Sequence, residues 1–166
     1  MSPKNLDFKI GDAVVYPKHG VGEIIKIASM EIANIKTMFY VVKMEQSKLT
    51  IRVPLDKQNE VGLRKISPKK VIEEVFSVLK LKPKIRRIMW SRRAQEYDAK
   101  IFSGDPIKIA EVVRDLFRKN TQAEQSYSER QMFQIAIERL ARELAAVEKT
   151  DYFQSTEKIE SILRNK

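Results

Sequence analysis

The chain contains no cysteine and only one histidine, His19. Without thiols it can form no disulfide, no thiolate zinc site and no cysteine nucleophile. A single imidazole also leaves little for a catalytic triad or a histidine-based metal site. His19 stands before Gly20 and is best explained as a turn residue. The residue types on which many enzymes and metal proteins depend are therefore missing, and the absence of cysteine is typical of a reducing cytoplasm.

Long apolar runs are missing as well. The opening residues Met1–Asp7 lack the apolar stretch of a signal peptide, and no segment approaches the roughly 20 apolar residues of a membrane span. The motif Gly20-Val21-Gly22 is not a phosphate-binding loop, because Lys26 follows at the wrong spacing without a neighbouring Ser or Thr. We therefore predict a soluble cytoplasmic protein that is not an enzyme and has no cofactor, metal ion, membrane or small-molecule substrate.

Acidic residues are scarce in one part of an otherwise highly charged chain. Lys and Arg outnumber Asp and Glu by 32 to 22, which gives a net charge of +10. Residues 80–93, called the basic segment below, hold seven basic residues and no acidic one: Lys80, Lys82, Lys84, Arg86, Arg87, Arg92 and Arg93. Because the excess is concentrated in one place, it indicates a site that meets a polyanion.

The first 66 residues contain four of the five glycines and are predicted to form strands. Four short runs rich in β-branched or aromatic residues are bounded by turn formers. They are residues 13–16, 21–27, 38–44 and 49–53. Such a series without helical periodicity predicts a small, strongly bent sheet or barrel of the Tudor or SH3 type over residues 1–66.

From residue 67 onward the apolar residues recur at helical spacing. Three signals for helix starts are Ser67 followed by Pro68, Asp105 followed by Pro106, and Ser128 with Gln131 at capping-box spacing. Together with the periodicity these signals predict an all-helical domain of about five helices over residues 67–166. The fold class is therefore α+β, with a β domain followed by a helical domain.

Trp90 is the only tryptophan, and it lies inside the basic segment between Arg86 and Arg87 on one side and Arg92 and Arg93 on the other. One interpretation is a wedge: an aromatic plate lodges at an unstacked base step while guanidinium groups neutralise the flanking phosphates. The other interpretation is a core residue, since Trp90, Ala94, Tyr97 and Ile101 share a helical face. The residues alone leave both open.

Several segments resemble one family of bacterial regulators. Residues 11–20, with the sequence GDAVVYPKHG, and residues 49–54, with the sequence LTIRVP, resemble the RNA-polymerase-interacting module shared by CarD/CdnL regulators and transcription-repair coupling factors. Residues 90–93 and 103–116 resemble the helical DNA-binding domain that CarD/CdnL proteins have and coupling factors lack. The resemblance runs from Phe8 to the last helix, and the order of its two halves makes it specific.

The resemblance implies a transcription regulator that binds the RNA polymerase β subunit and promoter DNA. It assigns Thr50, Ile51 and above all Arg52 to the polymerase contact. Some relatives place a second arginine where Met30 stands here, so this contact has a different chemistry at that position. An arginine on a β edge also offers a planar donor fork to a carboxylate or carbonyl group of a partner.

In the second domain the resemblance places Trp90 at the upstream edge of the transcription bubble. We assign the flanking Arg86, Arg87, Arg92 and Arg93 to DNA binding as well, and expect the protein to stabilise the open promoter complex. It would act as a monomer and reach the nucleoid through polymerase. The alternative is an RNA- or ribosome-associated small β barrel whose helices form a platform.

Overall fold

The computed structural model describes residues 6–118 and 126–166. The chain folds into two compact units, one that ends at Ile66 and one that begins at Ser67. The elements are β1 (Ala13–Tyr16), β2 (Gly20–Ile32), β3 (Ile35–Met44), β4 (Thr50–Pro54), a 3₁₀ turn (Leu55–Lys57), α1 (Gln58–Val61), β5 (Arg64–Lys65), α2 (Lys69–Leu79), α3 (Trp90–Phe102), α4 (Pro106–Leu116), α5 (Tyr127–Glu148) and α6 (Tyr152–Arg164).

The first unit is one antiparallel sheet with the strand order β4-β3-β2-β1-β5. The predicted fold class is therefore confirmed. The pairing of β2 with β3 shifts register between Ile24 and Lys26, and such a bulge bends a strand and increases its twist. The bend helps a small sheet to enclose its own core. The residues of that core are Phe8, Val14, Ile24, Tyr40, Val42, Met44, Val53 and Leu63.

Gly22 is required at its position by close packing of β2 on β3. A Cβ atom on Gly22 would lie 2.8 Å from Cγ1 of Val42 and 3.0 Å from the backbone oxygen of Lys43. Distances that short force neighbouring atoms to move, and one of these atoms is backbone. Gly22, the last residue of the Gly20-Val21-Gly22 motif, is therefore needed for the close packing of β2 on β3.

The hairpin of β2 and β3 is longer than the sequence predicted. Its two-residue turn consists of Ala33 and Asn34, with φ angles of 51° and 64°. Two successive residues of positive φ are the geometry of a type I′ turn, whose twist matches that of the flanking strands. The strands therefore continue to Ile32 and from Ile35, and the predicted limits at Ile27 and Met38 were too short.

The described residues of the second unit, 67–118 and 126–166, form five helices, α2 to α6, as the sequence predicted. The central helix is α4, which packs against α2, α3 and α5. The buried core of this unit consists of Ile72, Val75, Leu79, Tyr97, Ile101, Ile109, Ala110, Val112, Val113, Leu116, Ala136, Ile137, Leu140, Ala141, Leu144, Ile159 and Leu163. Because α4 lies among the other helices, even its charged residues Arg114 and Asp115 are buried.

Two of the three predicted helix starts are corrected in detail. Ser67 does not cap α2: its backbone N–H and its hydroxyl both donate to the buried carboxylate of Glu143, at 2.9 and 2.6 Å. The cap of α5 is Ser126 and not Ser128, because the Ser126 hydroxyl accepts the Glu129 N–H at 3.2 Å. The N-cap residue of α2 is Pro68, which has no capping side chain, whereas at α5 two serines with similar local patterns compete for the cap.

The start predicted at Asp105 and Pro106 is confirmed. The Asp105 carboxylate accepts the Ile107 N–H at 2.9 Å, and Pro106 occupies the first helical position. An acidic side chain here also compensates the positive end of the helix dipole. This cap fixes the entry of α4, the helix that positions the basic segment.

Candidate functional site

The basic segment leaves the end of α2 and reaches the first turn of α3. Residues 82–86 have no regular secondary structure. A lysine-rich loop without secondary structure would ordinarily be mobile, because its charges repel and its backbone is hydrated. The geometry of this loop is instead fixed by contacts along its length.

The central anchor is a buried carboxylate on α4. The Asp115 Oδ1 atom accepts the backbone N–H of Lys84 at 2.8 Å and also accepts from Nε of Arg114 at 2.8 Å. Arg114 and Asp115 are 4% and 3% exposed. Hydrogen bonds to a charged acceptor are stronger than neutral ones, and burial removes the competing water. The loop is therefore tied at its midpoint to the core of the helical unit.

Further contacts hold the two ends of the loop. At its start, the Lys166 ammonium group donates to the backbone oxygens of Leu79 at 3.2 Å and Leu81 at 2.7 Å. Towards α3, the Arg86 guanidinium pairs with the Glu96 carboxylate. This pair is exposed and contributes little to stability, but it draws the loop onto the face of α3.

Trp90 is the first residue of α3 and is half-buried against the helical core. Its ring centroid lies 6.2 Å from that of Tyr97 at an interplanar angle of 49°. The Arg93 guanidinium lies 5.4 Å from the Trp90 ring and 5.6 Å from the Tyr97 ring, and it donates to the Tyr97 hydroxyl at 3.1 Å. Trp90 thus stands between the two sequence interpretations, with one part in the core and one part at the surface.

The four predicted DNA-binding arginines have different surroundings. Arg87 and Arg92 are exposed and form no ion pair with any residue that the structure describes. Arg86 is compensated by Glu96, while Arg93 is half-buried and packs on Trp90. The first two are therefore the arginines most available to a phosphate. The geometry gives Arg93 a positioning role towards Trp90.

An open cavity of about 380 Å³ lies beside this arrangement. Its lining residues are Arg86, Ile88, Arg92, Gln95, Glu96 and Ala99. The Arg92 guanidinium and the Gln95 amide suit an anionic, hydrogen-bonding ligand such as a nucleic acid backbone, while the Arg86 guanidinium is already paired with Glu96. No group of three or more metal-ligating side chains occurs within residues 6–118 and 126–166.

In the first unit the predicted polymerase contact lies on β4, an edge strand of the sheet. Thr50 and Arg52 are exposed, whereas Ile51 is partly buried against the core of the sheet. Arg52 pairs with Val41 of β3 and has no ion-pair partner among the described residues. Because side chains alternate along a strand, Arg52 and Thr50 share the outer face, and Ile51 supports them from the inner face.

Met30 lies on the same face of the sheet as Arg52. Met30 pairs with Thr37, four residues from Val41 along β3, and Val41 pairs with Arg52. Residues an even number apart on a strand share a face. Met30 is 41% exposed, so this face presents an apolar side chain in addition to Arg52.

Sequence reasoning missed Asp115 and Glu96 as parts of the site. Asp115 stands beside Arg114 within an amphipathic helix, where adjacent opposite charges are usually solvated. Only the burial of α4 in the folded domain turns it into an anchor. Glu96 is ten residues from Arg86, and no local spacing rule connects the two.

Each half of the chain matches a known protein family model. Residues 8–67 match the family model "CarD-like/TRCF RID domain", and residues 74–160 match the model "CarD, C-terminal domain". The chain is 31% identical over 140 residues to YdeB of Bacillus subtilis (strain 168), described as a transcription factor, with 84% of this chain and 92% of that protein covered. The chain belongs to the CarD family.

Two solved structures resemble the N-terminal part of this CarD family member. CdnLNt from Myxococcus xanthus is 38% identical to this chain. The match covers 40% of this chain and 93% of CdnLNt, with a TM-score of 0.32. The 72-residue N-terminal domain of Myxococcus xanthus CarD is 33% identical to this chain. The match covers 38% of this chain and 84% of that domain, and its TM-score is also 0.32.

The family consists of transcription regulators and not of enzymes, and the CarD-like/TRCF RID domain is an RNA polymerase β-interacting domain. This chain is therefore a transcription regulator with a polymerase-interacting domain of that type. No helix in residues 6–118 and 126–166 is long and apolar enough to cross a membrane. The family favours the polymerase hypothesis over the RNA- or ribosome-associated alternative.

Proposed function

We propose that this protein binds the RNA polymerase β subunit through the outer face of β4 and stabilises the open promoter complex through the basic segment and Trp90. The first domain acts as a tether, with Arg52 as its principal contact and Thr50 and Ile51 beside it. The second domain holds DNA at the upstream edge of the bubble. The protein acts in the cytoplasm as a monomer, associated with the nucleoid through polymerase.

The observation that carries the proposal is the anchored basic segment. Its backbone is tied to the buried Asp115, and it contains Trp90 between Arg87 and Arg92, neither of which forms an ion pair with a described residue. Positively charged groups that neutralise phosphates, next to an aromatic plate that can contact an opened base step, are the elements of a minor-groove wedge. A rigid loop presents them without a large entropic cost of ordering on binding.

A weak DNA contact is sufficient for such a mechanism. Stabilising the melted DNA by about 1.4 kcal/mol shifts its population roughly tenfold. Once the first domain is bound to polymerase, the second domain meets DNA at a high effective concentration, so that its affinity for free DNA need not be high.

The direct test is the replacement of the half-buried Trp90. We expect Trp90→Ala to shorten the half-life of open promoter complexes clearly while it lowers the free energy of unfolding by about 2–3 kcal/mol, less than for a fully buried aromatic residue, because Trp90 is only partly buried. Urea unfolding and open-complex decay measured on the same variant give both quantities. A variant that loses about 3–5 kcal/mol with an unchanged half-life would mean that Trp90 is only a core residue.

Isolated DNA binding should be weak, insensitive to sequence and steeply dependent on salt. With Arg87, Arg92, Lys82 and Lys84 available, about four phosphates are neutralised, so log K should fall with log salt at a slope of roughly −3 to −4. Fluorescence anisotropy with two unrelated duplexes at several salt concentrations measures this slope. Arg92→Ala should reduce it by about 0.9, whereas a flat response would remove the basic segment from the DNA interface.

A further inference from the structure

Met89, directly before Trp90, is one of the most exposed apolar side chains of the protein. It is 73% exposed, and among the large hydrophobic side chains of the described helical unit only Phe153, at 80%, exceeds it. Trp90, by contrast, is half-buried and packs on Tyr97. Met89 therefore offers more apolar surface to a partner than its neighbour Trp90 does in relative terms.

The backbone holds Met89 firmly although its side chain is free. Met89 is the N-cap residue of α3 with extended dihedral angles, φ −55° and ψ 143°. Its carbonyl oxygen accepts the N–H groups of Arg92 and Arg93, both at 3.1 Å. Because Met89 is extended and Trp90 is helical, the two side chains leave the chain in different directions: Trp90 turns onto the core, and Met89 turns to solvent. The exposed side chain thus has a fixed point of origin.

A single exposed apolar residue needs no explanation by itself. The surroundings of Met89 are what distinguish it, because it lies in a segment of seven basic residues without an acid and within three residues of Arg86, Arg87 and Arg92. These cations attract a polyanion. Melted DNA is a polyanion that also exposes apolar surface, because the faces of its unstacked bases are accessible. The positive charge therefore selects DNA as the occupant.

The chemistry of methionine suits this occupant. Its side chain is long, unbranched and polarizable, and its sulfur makes favourable contacts with aromatic rings. Methionine is also among the apolar residues that insert between base steps in the minor groove. A flexible thioether can follow a base that changes position as the bubble opens, and it would complement the more rigidly packed Trp90 ring.

We propose that Met89 is a second apolar contact of the wedge, beside Trp90, and meets an unstacked nucleobase at the edge of the melted promoter DNA. This inference rests on the proposed function, since it needs the basic segment at the DNA. It adds a contact residue and the chemical class of its ligand, a nucleobase that has left the stack.

The first experiment compares variants in open-complex decay with RNA polymerase holoenzyme and a promoter fragment. Met89→Ala should shorten the half-life roughly two- to twelvefold, the range that corresponds to the strength of sulfur–aromatic contacts. Met89→Leu should lie between Met89→Ala and the unaltered protein, because it remains apolar and of similar volume but lacks the sulfur. The control Phe153→Ala removes an equally exposed apolar side chain and should change nothing. Since Met89 makes no capping bond through its side chain, all variants should melt at the same temperature.

Met89→Lys separates insertion from charge. A lysine would strengthen phosphate binding but cannot insert between bases, so the half-life should fall as it does for Met89→Ala. If Met89→Lys keeps or lengthens the half-life, the position acts through electrostatics and the inference is wrong. If Trp90→Ala shortens the half-life and Met89→Ala does not, the inference is wrong while the proposed function stands. If neither variant has an effect, both fail.

A second measurement reports position directly. With p-benzoylphenylalanine in place of Met89, irradiation of the open complex should crosslink the protein to promoter DNA at the upstream edge of the bubble. The same photoreactive residue in place of Phe153 should give no DNA crosslink. Crosslinking from position 89 to polymerase alone would overturn the assignment, since it would make Met89 a protein contact.

Discussion

Arg52→Glu is expected to weaken binding to the RNA polymerase β subunit by at least about a hundredfold, while the urea unfolding curve stays unchanged. Reversing a charge at an interface costs several kcal/mol, because attraction becomes repulsion and a partner charge loses its counterpart. The fold should tolerate the change, since Arg52 is exposed on an edge strand and makes no ion pair within the described residues. Co-purification and a binding titration with RNA polymerase measure the effect.

A matched control lies on the opposite face of the same sheet. Lys36 neighbours Ile35 and Thr37 on β3, so its side chain points away from the face that carries Arg52. Lys36→Glu makes the same change from cation to anion and should bind polymerase normally. Arg52→Lys should give intermediate binding, because it keeps the charge but loses the planar fork. Equal loss in Arg52→Glu and Lys36→Glu would indicate a general effect of net charge.

The two-part fold was predictable because each half has a consistent local pattern. Short β-branched runs bounded by turn formers recur up to Pro54, and helical periodicity begins after Pro68. One error occurred where two chemically equivalent residues compete for the same role. Ser126 and Ser128 both precede the periodic stretch of α5, and only the Ser126 hydroxyl reaches the Glu129 N–H. The turn at Ala33 and Asn34 was missed because alanine rarely adopts a positive φ.

The site was predictable only in its surface chemistry. A run of cations around a single tryptophan is visible in the sequence, but its support is not. Whether Trp90 is exposed depends on the packing of Tyr97 and Arg93, and whether the loop is rigid depends on Asp115, which lies 31 residues from its partner Lys84. Contacts of this kind arise from the tertiary arrangement of α3 and α4, for which a single sequence gives no spacing rule.

Asp115→Ala is expected to have the largest effect on stability, a loss of about 3–5 kcal/mol in the free energy of unfolding. The variant leaves the buried Arg114 guanidinium without its carboxylate, and an uncompensated charge in the core is strongly unfavourable. It also removes the acceptor of the Lys84 N–H. We therefore expect a lower denaturation midpoint together with weaker DNA binding. The two effects must be separated, because a destabilised protein could lose DNA binding through unfolding alone.

The double variant Arg114→Leu, Asp115→Leu separates them. It removes both charges together, and replacing a buried ion pair with apolar residues is often neutral or even stabilising. Most of the stability lost in Asp115→Ala should therefore return, and urea unfolding measures how much. The Lys84 N–H still lacks its acceptor, so the basic segment remains detached from α4. If anchoring of this segment is needed for function, the double variant stays defective in open-complex stabilisation although it is folded. If its open-complex lifetime matches that of the unaltered protein, the rigidity of the segment is irrelevant, and Asp115 serves only to neutralise Arg114.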